Sequence, residues 1–450
     1  MTNQSARIAL CILCLSLFLS TSAAAQSATD TEDADSTPTS TEQGQTSMDT
    51  SFQPKDRATL VREERRQAFR DTEFYGDIRT FYFSSDNLNG SHSEAWALGG
   101  SAGLKTGYFR DLFAFGATAY TSQPLDAPAD KDGTRLLQSG QRGYTVLGES
   151  YADIRITDGV DAYVGRKGFD TPFISRFDSR MTPNTFQAAF VQGAVGGDDA
   201  SPSWHFGGGY VDKIKQRNSE DFISMSTAAG APAGVSRGVS VAGLLYKNGD
   251  FSLGGIDYYS TDIINIGYFE AKDSFAITDR LRLKLAAQYT GQHSVGENLL
   301  LGHEYSARQV GAKIELSFAG ALLSAAYTAA GKTGTNLQSP WSRNPGYTAV
   351  QVQSFARSGE NACMVRAAYN FPALRSLSAY LLYVQGSTPD LVRQYAQREY
   401  DVNLQWQQSS GTWRAFKLLA RYGHVDEAGP QHLQSNQLRL VLYYEPARGD

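Results

Sequence analysis

Basic side chains recur at alternate positions in several otherwise apolar segments of this sequence. In Arg280–Gln288 (RLRLKLAAQ) the leucines alternate with Arg280, Arg282 and Lys284. Alternate residues of an extended chain point to one face, so such segments carry a cationic face opposite an apolar one. A row of cations in a narrow space of low dielectric attracts and guides anions. The basic residues that the alternation places on the polar face are Arg282, Lys284, Lys313, Arg366, Lys417, Arg421 and Arg439.

Residue types that serve catalysis or metal binding are present, but they lack the spacing that this chemistry needs. None of the six histidines belongs to an H-E-x-x-H sequence, and neither a G-x-S-x-G turn nor a glycine-rich phosphate loop occurs. Cys363 is the one cysteine after residue 25, which predicts no intramolecular disulfide. We therefore expect no catalytic residue, no metal and no cofactor. The net charge of −5 argues against a general nucleic-acid binder.

Residues 1–25 have the composition of a secretory signal peptide. Arg7 precedes an apolar run from Ile8 to Leu19, and three alanines end at Ala25. A positive start, a short apolar stretch and small residues before the cleavage point are what export requires. The apolar run is too short to cross roughly 30 Å of hydrocarbon as a helix. We expect export and cleavage near Ala25.

Residues 26–71 are predicted to be an extension ahead of the folded domain. The stretch from Gln26 to about Ser51 is rich in Ser, Thr, Asp, Glu and Gln, a composition typical of disorder. Lys55–Arg70 (KDRATLVREERRQAFR) indicates a short charged helix with a weak apolar face. Two interpretations stay open for this predicted helix. It is either a solvated helix or linker, or a periplasmic contact or a plug that enters the β-barrel predicted below.

From residue 72 to 450 the hydrophobic period is two, which predicts β-strands with one apolar and one wet face. Val310–Phe318 and Tyr400–Trp406 are clear examples. A soluble β-sandwich also alternates, but these runs are often about ten residues long, enough to cross a bilayer at a tilt. Aromatic residues also gather near strand ends, as membrane interfaces favour. The fold class predicted is all-β: a single transmembrane antiparallel barrel of the bacterial outer membrane.

The connections between strands alternate between tight and long. Tight turns such as Asp158–Gly159 and Asn248–Gly249 contain the residues that reverse turns need. If Tyr347–Phe355 were a strand the total would be odd, whereas assigning it to a long loop gives about 18 strands with both chain ends on the periplasmic side. A barrel of that size leaves an aqueous channel unless loops fold into it.

One long segment gives the sequence a specific resemblance. Tyr163–Phe186 reads YVGRKGFDTPFISRFDSRMTPNTF, and this segment resembles the OprD family of outer-membrane porins. Trp341–Glu360 is similar to the family's seventh loop, and Asn436–Glu445 to its closing strand. The resemblance covers the chain from about residue 72. It implies an eighteen-stranded barrel, in agreement with the count above.

The resemblance also implies a constriction built by the third loop, which in the family folds inward. Pro172 and Pro183 suit Gly168–Thr185 for this because they reject strand pairing. An alternative role for Asp178 and Arg180 is to pin the loop to the wall as a salt bridge. The residues assigned to the constriction are Asp170, Arg176, Asp178, Arg180 and Asn184, with Tyr347 of the seventh loop opposing the wall cations.

The function expected on this basis is passive, selective diffusion of small water-soluble solutes that carry a carboxylate, such as amino acids, small peptides or aromatic acids. The family is described as having a basic ladder, and Arg421 and Arg439 match it best, whereas Arg366 has no counterpart. A plainer interpretation is a solvated wall in which Glu315, Glu399 and Asp401 balance the cations. Two other functions stay open: a chito-oligosaccharide porin of the same family, for which Trp341 is the one loop tryptophan available, and a barrel enzyme such as a protease or phospholipase.

Expected partners are outer-membrane lipid and lipopolysaccharide, the assembly machinery and the solutes, with the protein a monomer or loose trimer. Two features depart from the family. The acidic tract is longer than a typical leader, and the chain ends Tyr444-Glu-Pro-Ala-Arg-Gly-Asp rather than on an aromatic residue.

Overall fold

The computed structural model describes residues 57–197, 202–372, 374, 376–388, 395–408, 410–411, 413–429 and 432–446. The predicted signal peptide and acidic tract lie outside the described residues. The chain separates into two units, residues 1–64 and 65–450. Its elements are α1 (Arg57–Arg70), β1 (Glu73–Asp86), β2 (His92–Lys105), β3 (Phe113–Asp126), a 3-10 turn (Ala129–Lys131), β4 (Tyr144–Thr157), β5 (Val160–Lys167), β6 (Thr185–Gly196), β7 (Ser203–Lys215), β8 (Phe222–Ser224), α2 (Met225–Ala229), β9 (Val239–Asn248), β10 (Phe251–Ser260), β11 (Ile264–Thr278), β12 (Leu281–His293), β13 (Ser306–Phe318), β14 (Ala321–Ala330), β15 (Asn361–Asn370), β16 (Leu377–Thr388), β17 (Tyr395–Gln407), β18 (Phe416–Ala428) and β19 (Leu433–Tyr444).

The strands form one closed antiparallel barrel. Each wall strand pairs with its neighbour along the chain, and β1 pairs with β19 through partners such as Thr80 and Leu442, which closes the sheet. The short strand β8 adds to the end of β7, and β7 otherwise pairs with β9. The wall therefore has 18 strands with β8 as an addition, and the predicted fold class is confirmed. No helix in the described ranges is long and apolar enough to span a bilayer.

Turn length alternates around the barrel as the sequence predicts. The turns at one end are tight: Gly159 and Gly249 have positive φ angles of 85° and 55°, and Ala319 and Gly320 both lie in the left-handed region. A two-residue turn with positive φ at both positions has a backbone twist that matches the twist of the flanking strands. The opposite end carries the longer loops, among them the third (168–184), the fourth (216–238) and the seventh (331–360). Residues 347–355 lie in the seventh loop, as predicted. The first loop (87–91), which was predicted to be long, and the fifth (261–263) are exceptions, with five and three residues.

The wall inverts the burial pattern of a soluble protein. On β12, Leu285 and Tyr289 are exposed on the outer face, whereas Gln288 and Thr290 are buried on the inner one. Leu381 of β16 remains 61% exposed and Phe269 of β11 56%. An apolar exterior over a polar interior suits a barrel surrounded by lipid. The inner face therefore determines what this barrel can do in water.

Apolar residues fill one side of the interior. The apolar cluster unites inner-face residues of β6, β7 and β9–β11 with Phe173 and Ile174 of the third loop and Trp341 of the seventh. The Tyr258 hydroxyl accepts from the Phe173 N–H (3.2 Å) and donates to Thr171 Oγ1 (2.9 Å), and Trp341 Nε1 donates to the Met225 carbonyl (2.8 Å). These contacts fasten two inward loops to the β6–β11 side. A cavity lies on the other side, lined by β13–β19.

Candidate functional site: a cationic chamber

A cavity of about 640 Å³ lies between the seventh loop and the inner face of β13–β19. We call it the chamber. Three loops and seven strands contribute to its lining. The residues are Phe177, Ser179 and Arg180 of the third loop; Arg217 of the fourth; Arg343, Pro345–Tyr347 and Ala349–Ser354 of the seventh; and Lys313, Glu315, Ser324, Met364, Arg366, Tyr380, Leu382, Asp401, Arg421, Gln437 and Arg439 of the wall.

Four of the seven predicted wall cations line the chamber: Lys313, Arg366, Arg421 and Arg439. Arg421 on β18 is paired in register with Arg439 on β19, so the two guanidinium groups start from directly opposed positions. The Arg366 guanidinium lies 4.3 Å from the centre of the Tyr380 ring. Lys313 forms an ion pair with Glu315 at 3.2 Å. The alternation in sequence therefore brings together cations that lie up to 126 residues apart, from Lys313 to Arg439.

The other three predicted wall cations lie outside the chamber lining. Arg282 is at the tight-turn end, half-exposed, and its Nη1 lies 2.9 Å from Asp250 Oδ2. Lys284 stands beside Glu315 in the β12–β13 register. Lys417 Nζ lies 5.5 Å from the centre of the Tyr443 ring. Period two predicts the face of each residue but not its depth along the barrel, which separates these three from the other four.

In the third loop, Arg180 reaches the chamber and Asp178 is paired with the wall. Arg79 of β1 donates from Nη1 to Asp178 Oδ1 at 2.8 Å. Arg180 instead donates from Nε to the Thr134 carbonyl at 2.7 Å and lies 4.7 Å from the Phe83 ring centre. Asp178 thus fastens the loop through Arg79, a residue that the sequence did not single out. Burial lowers the pKa of Arg180, and three neighbouring arginines add to this shift.

The remaining predicted third-loop residues shape the loop itself. Asp170 Oδ2 lies 3.8 Å from Arg176 Nε, and both side chains are exposed. Asn184 donates to the Ser175 carbonyl (3.2 Å) and accepts from the Arg217 N–H (2.9 Å), which joins the third loop to the fourth. None of these three side chains belongs to the chamber lining.

A buried carboxylate holds the base of the third loop. Glu149 of β4 is 6% exposed, and its Oε1 accepts the Gly168 N–H at 2.8 Å. Its Oε2 accepts from Thr118 Oγ1 at 3.0 Å, and Thr118 in turn is 2.9 Å from the Tyr75 hydroxyl. The strand register shifts next to Glu149, between β3 and β4. An extra residue of this kind re-aims a side chain, here toward the loop.

The seventh loop contributes more of the chamber lining than the third, and the sequence did not indicate this. Two inner-face carboxylates of β17 hold its tip. Glu399 accepts the N–H groups of Val352 (2.6 Å) and Gln353 (2.7 Å), and Asp401 Oδ2 accepts that of Gln351 (3.2 Å). The carboxylates that the plainer interpretation treated as a charge balance for the wall therefore also anchor this loop.

Tyr347, the predicted seventh-loop residue, lies in the chamber lining. Its hydroxyl donates to Glu270 Oε1 at 2.8 Å, and Lys313 Nζ lies 5.2 Å from the centre of its ring. Burial, with a smaller effect of the Glu270 carboxylate, raises the pKa of Tyr347. The phenol is therefore a neutral donor at neutral pH.

The lining carries seven basic side chains and two carboxylates, Glu315 and Asp401. Arg217 and Arg343 are the cations that the sequence missed, because loops have no period from which direction could be inferred. Burial lowers the pKa of Arg217 to about 10, which leaves the group charged at neutral pH. The Nε atoms of Arg366, Arg421 and Arg439 and Nη2 of Arg343 are buried without a hydrogen-bond partner among the described residues.

Comparison with known proteins decides the family. The family described as outer membrane porin, OprD family, matches residues 67–447, more than four fifths of the chain. The chain belongs to the OprD family of outer-membrane porins. The resemblance read from Tyr163–Phe186 is thereby confirmed, and with it a place in the bacterial outer membrane. No curated protein matches the chain at the sequence level.

Solved porin structures share the fold. OccAB3 of Acinetobacter baumannii superposes with a TM-score of 0.75 at 18% identity, over 84% of this chain and 99% of that one. OccK9 (OpdG) of Pseudomonas aeruginosa gives 0.72 at 22% identity, over 84% and 99%. OpdK of the same organism, solved with vanillate, gives 0.71 at 20%, again over 84% and 99%. At these identities the likeness establishes the barrel, and the solute has to be argued from the chamber.

Proposed function

We propose that this porin conducts small carboxylate-bearing solutes by passive diffusion through the chamber. The observation that carries the proposal is the excess of seven basic side chains over two carboxylates in the lining. In a narrow cavity with low-dielectric walls such an excess raises the local concentration of anions. Guanidinium groups also match the planar geometry of a carboxylate and bind it through paired hydrogen bonds.

The proposed path narrows where the third and seventh loops face the wall. Arg180 and Arg217 of the loops and Arg421 and Arg439 of the wall all line the chamber. A carboxylate passing between them can exchange partners without leaving the cationic field. Binding at each position must stay weak enough to release the solute. We assign the constriction to both loops, with Arg180 and Tyr347 as the previously predicted residues that take part.

The alternative of a sugar porin is not favoured by the chamber. Sugar sites use exposed aromatic faces, and Trp341 is 1% exposed inside the apolar cluster. OpdK, a family member of the same fold, was solved with vanillate, an aromatic carboxylate. That complex is one of OpdK, and it supports a carboxylate as the type of solute proposed for this chain.

Uptake into liposomes tests the proposal. Vesicles containing the purified porin are mixed with equal concentrations of a carboxylate, an amine and a neutral sugar of similar size, and swelling rates are compared. We expect the carboxylate to enter faster than both others, with passage lost in vesicles without porin. Equal rates for the carboxylate and the amine would refute carboxylate preference, and no swelling with any solute would refute the channel itself.

A further inference from the structure

The basic side chains of the chamber wall start from two separated positions. Arg421 and Arg439 are register partners on β18 and β19. Arg366 is on β15, and its guanidinium lies on the Tyr380 ring of β16. Tyr380 shares a register row with Asn403 and Arg421, two strands away. At roughly 4.8 Å between strands, the backbones of Tyr380 and Arg421 are therefore about 10 Å apart along the wall.

The two carboxylates of the chamber lining have other partners among the described residues. Glu315 pairs with Lys313 at 3.2 Å. Asp401 accepts the Gln351 N–H. Neither Arg366 nor Arg421 has a carboxylate partner among the side chains that the structure describes, and the Nε of each is buried without an acceptor. A buried donor without an acceptor is costly, so both positions favour an anionic ligand.

Between the two positions the wall presents Leu382 and Tyr380 on β16, and Asp401 and Asn403 on β17. Leu382 of β16 is the register neighbour of Arg366 and lines the chamber, as does the Tyr380 ring. Val350 and Met364 line the same cavity and are 6% exposed each. A hydrocarbon spacer would be accepted along Leu382 and the Tyr380 ring, whereas a compact anion would leave one cationic position unfilled.

We infer that the chamber selects solutes with two carboxylates joined by a short hydrocarbon spacer. One carboxylate binds between Arg421 and Arg439, the other binds Arg366, and the spacer lies along Leu382 and Tyr380. The inference rests on the proposed conduction of carboxylates and adds the number and spacing of the charges. A solute with one carboxylate fills one position and gains only part of the binding.

Single-channel recording with a series of probes tests this assignment. Block of the chloride current by malonate, succinate, glutarate and adipate is compared with block by monocarboxylates of equal carbon number, at constant pH and ionic strength. We expect glutarate or adipate to bind about tenfold more tightly than its monocarboxylate counterpart, since one further charged hydrogen-bonded contact is worth about that factor. Glycerol phosphate, a dianion with a single charged group, serves as the compact probe.

Three variants locate the effect. Arg366→Gln should remove the dicarboxylate advantage and change monocarboxylate and glycerol phosphate binding by less than about threefold. Arg421→Gln should weaken the binding of the dicarboxylate, the monocarboxylate and glycerol phosphate alike. Arg282→Gln, outside the chamber, is the matched control and should weaken none. Conductance in plain salt reports whether each variant forms the channel.

The outcomes separate the two proposals. If mono- and dicarboxylates block the wild-type channel equally and the channel remains anion-selective, the two-carboxylate assignment is overturned and the proposed function stands. If Arg366→Gln weakens glycerol phosphate as much as glutarate, the two positions act as one and the assignment is likewise overturned. If no carboxylate blocks or passes, the proposed function fails first.

Discussion

The two sides of the barrel interior differ in what their inward-facing residues contact. On the β6–β11 side, inner-face residues such as Phe186 and Ile266 pack with Phe173 of the third loop and Trp341 of the seventh in a dry cluster. On the β13–β19 side, the inner face presents arginines and lysine to a cavity of about 640 Å³. The dry side holds the loops in place through these contacts. The solute path that we propose therefore lies on the charged side.

Replacing Trp341 with Ala attacks the dry side and should have the largest effect on stability. The fully buried indole is lost together with its hydrogen bond to Met225, so the free energy of unfolding should fall by about 3–5 kcal/mol. Thermal denaturation followed by circular dichroism measures this. Trp204→Ala is the matched control, since Trp204 is exposed on the outer face. Equal losses for the two variants would contradict a special role for the cluster.

Replacing Glu149 with Ala tests the base of the third loop, between the two sides. The Gly168 N–H loses its buried acceptor, which costs about 1–3 kcal/mol and frees the start of the loop. Glu149→Gln keeps an acceptor for Gly168 and a donor for Thr118, so it should retain most of the stability. The measurement is thermal stability with single-channel conductance. If Gln is as damaging as Ala, the charge of Glu149 rather than its hydrogen bonds is what matters.

Replacing Arg421 and Arg439 together with Ala attacks the charged side. Two adjacent cations of the lining disappear, so we expect the anion-to-cation permeability ratio to fall roughly tenfold. Carboxylate uptake should fall more than uptake of a neutral solute of similar size. Reversal potentials in a salt gradient measure the first change and vesicle swelling the second. An equal loss for both solutes would indicate a collapsed channel, for which Arg282→Ala supplies the comparison.

Replacing Glu399 with Gln should have the smallest effect of these four. The carboxylate that accepts Val352 and Gln353 becomes a neutral amide, and its hydrogen bonds weaken by about 1 kcal/mol in total. The seventh loop should then leave its position about five times more often. Single-channel current fluctuations report this. Unchanged fluctuations would show that packing of Val350 and Phe355 holds the loop without the carboxylate.

The sequence predicts the barrel well because the patterns that indicate strands and turns are local. Alternation, tight turns at Gly159 and Gly249, and turn parity yield 18 strands without any contact information. The same alternation places Arg366, Arg421 and Arg439 on the inner face. It cannot place Arg282 and Arg421 at different depths, because depth depends on strand register and barrel tilt.

The loops limit prediction of the chamber. Arg217 and Arg343 have no periodic neighbours, so nothing local indicates that they turn inward. Asp178 is assigned to the third loop by family resemblance, yet its partner Arg79 lies 99 residues away on β1. From the sequence alone Glu399 and Asp401 are interpreted as charged residues of the wall, because their hydrogen bonds to the seventh loop are not visible there. Long-range contacts of this kind become visible only in the folded chain.

The most direct test of the central claim is the reversal potential of the wild-type porin in a planar bilayer with a tenfold potassium chloride gradient. The excess of basic side chains in the chamber predicts a reversal potential displaced toward the chloride equilibrium value, with the displacement reduced in the Arg421→Ala, Arg439→Ala double variant. A reversal potential near zero, or one displaced toward the potassium equilibrium value, would contradict the claim that the chamber selects anions.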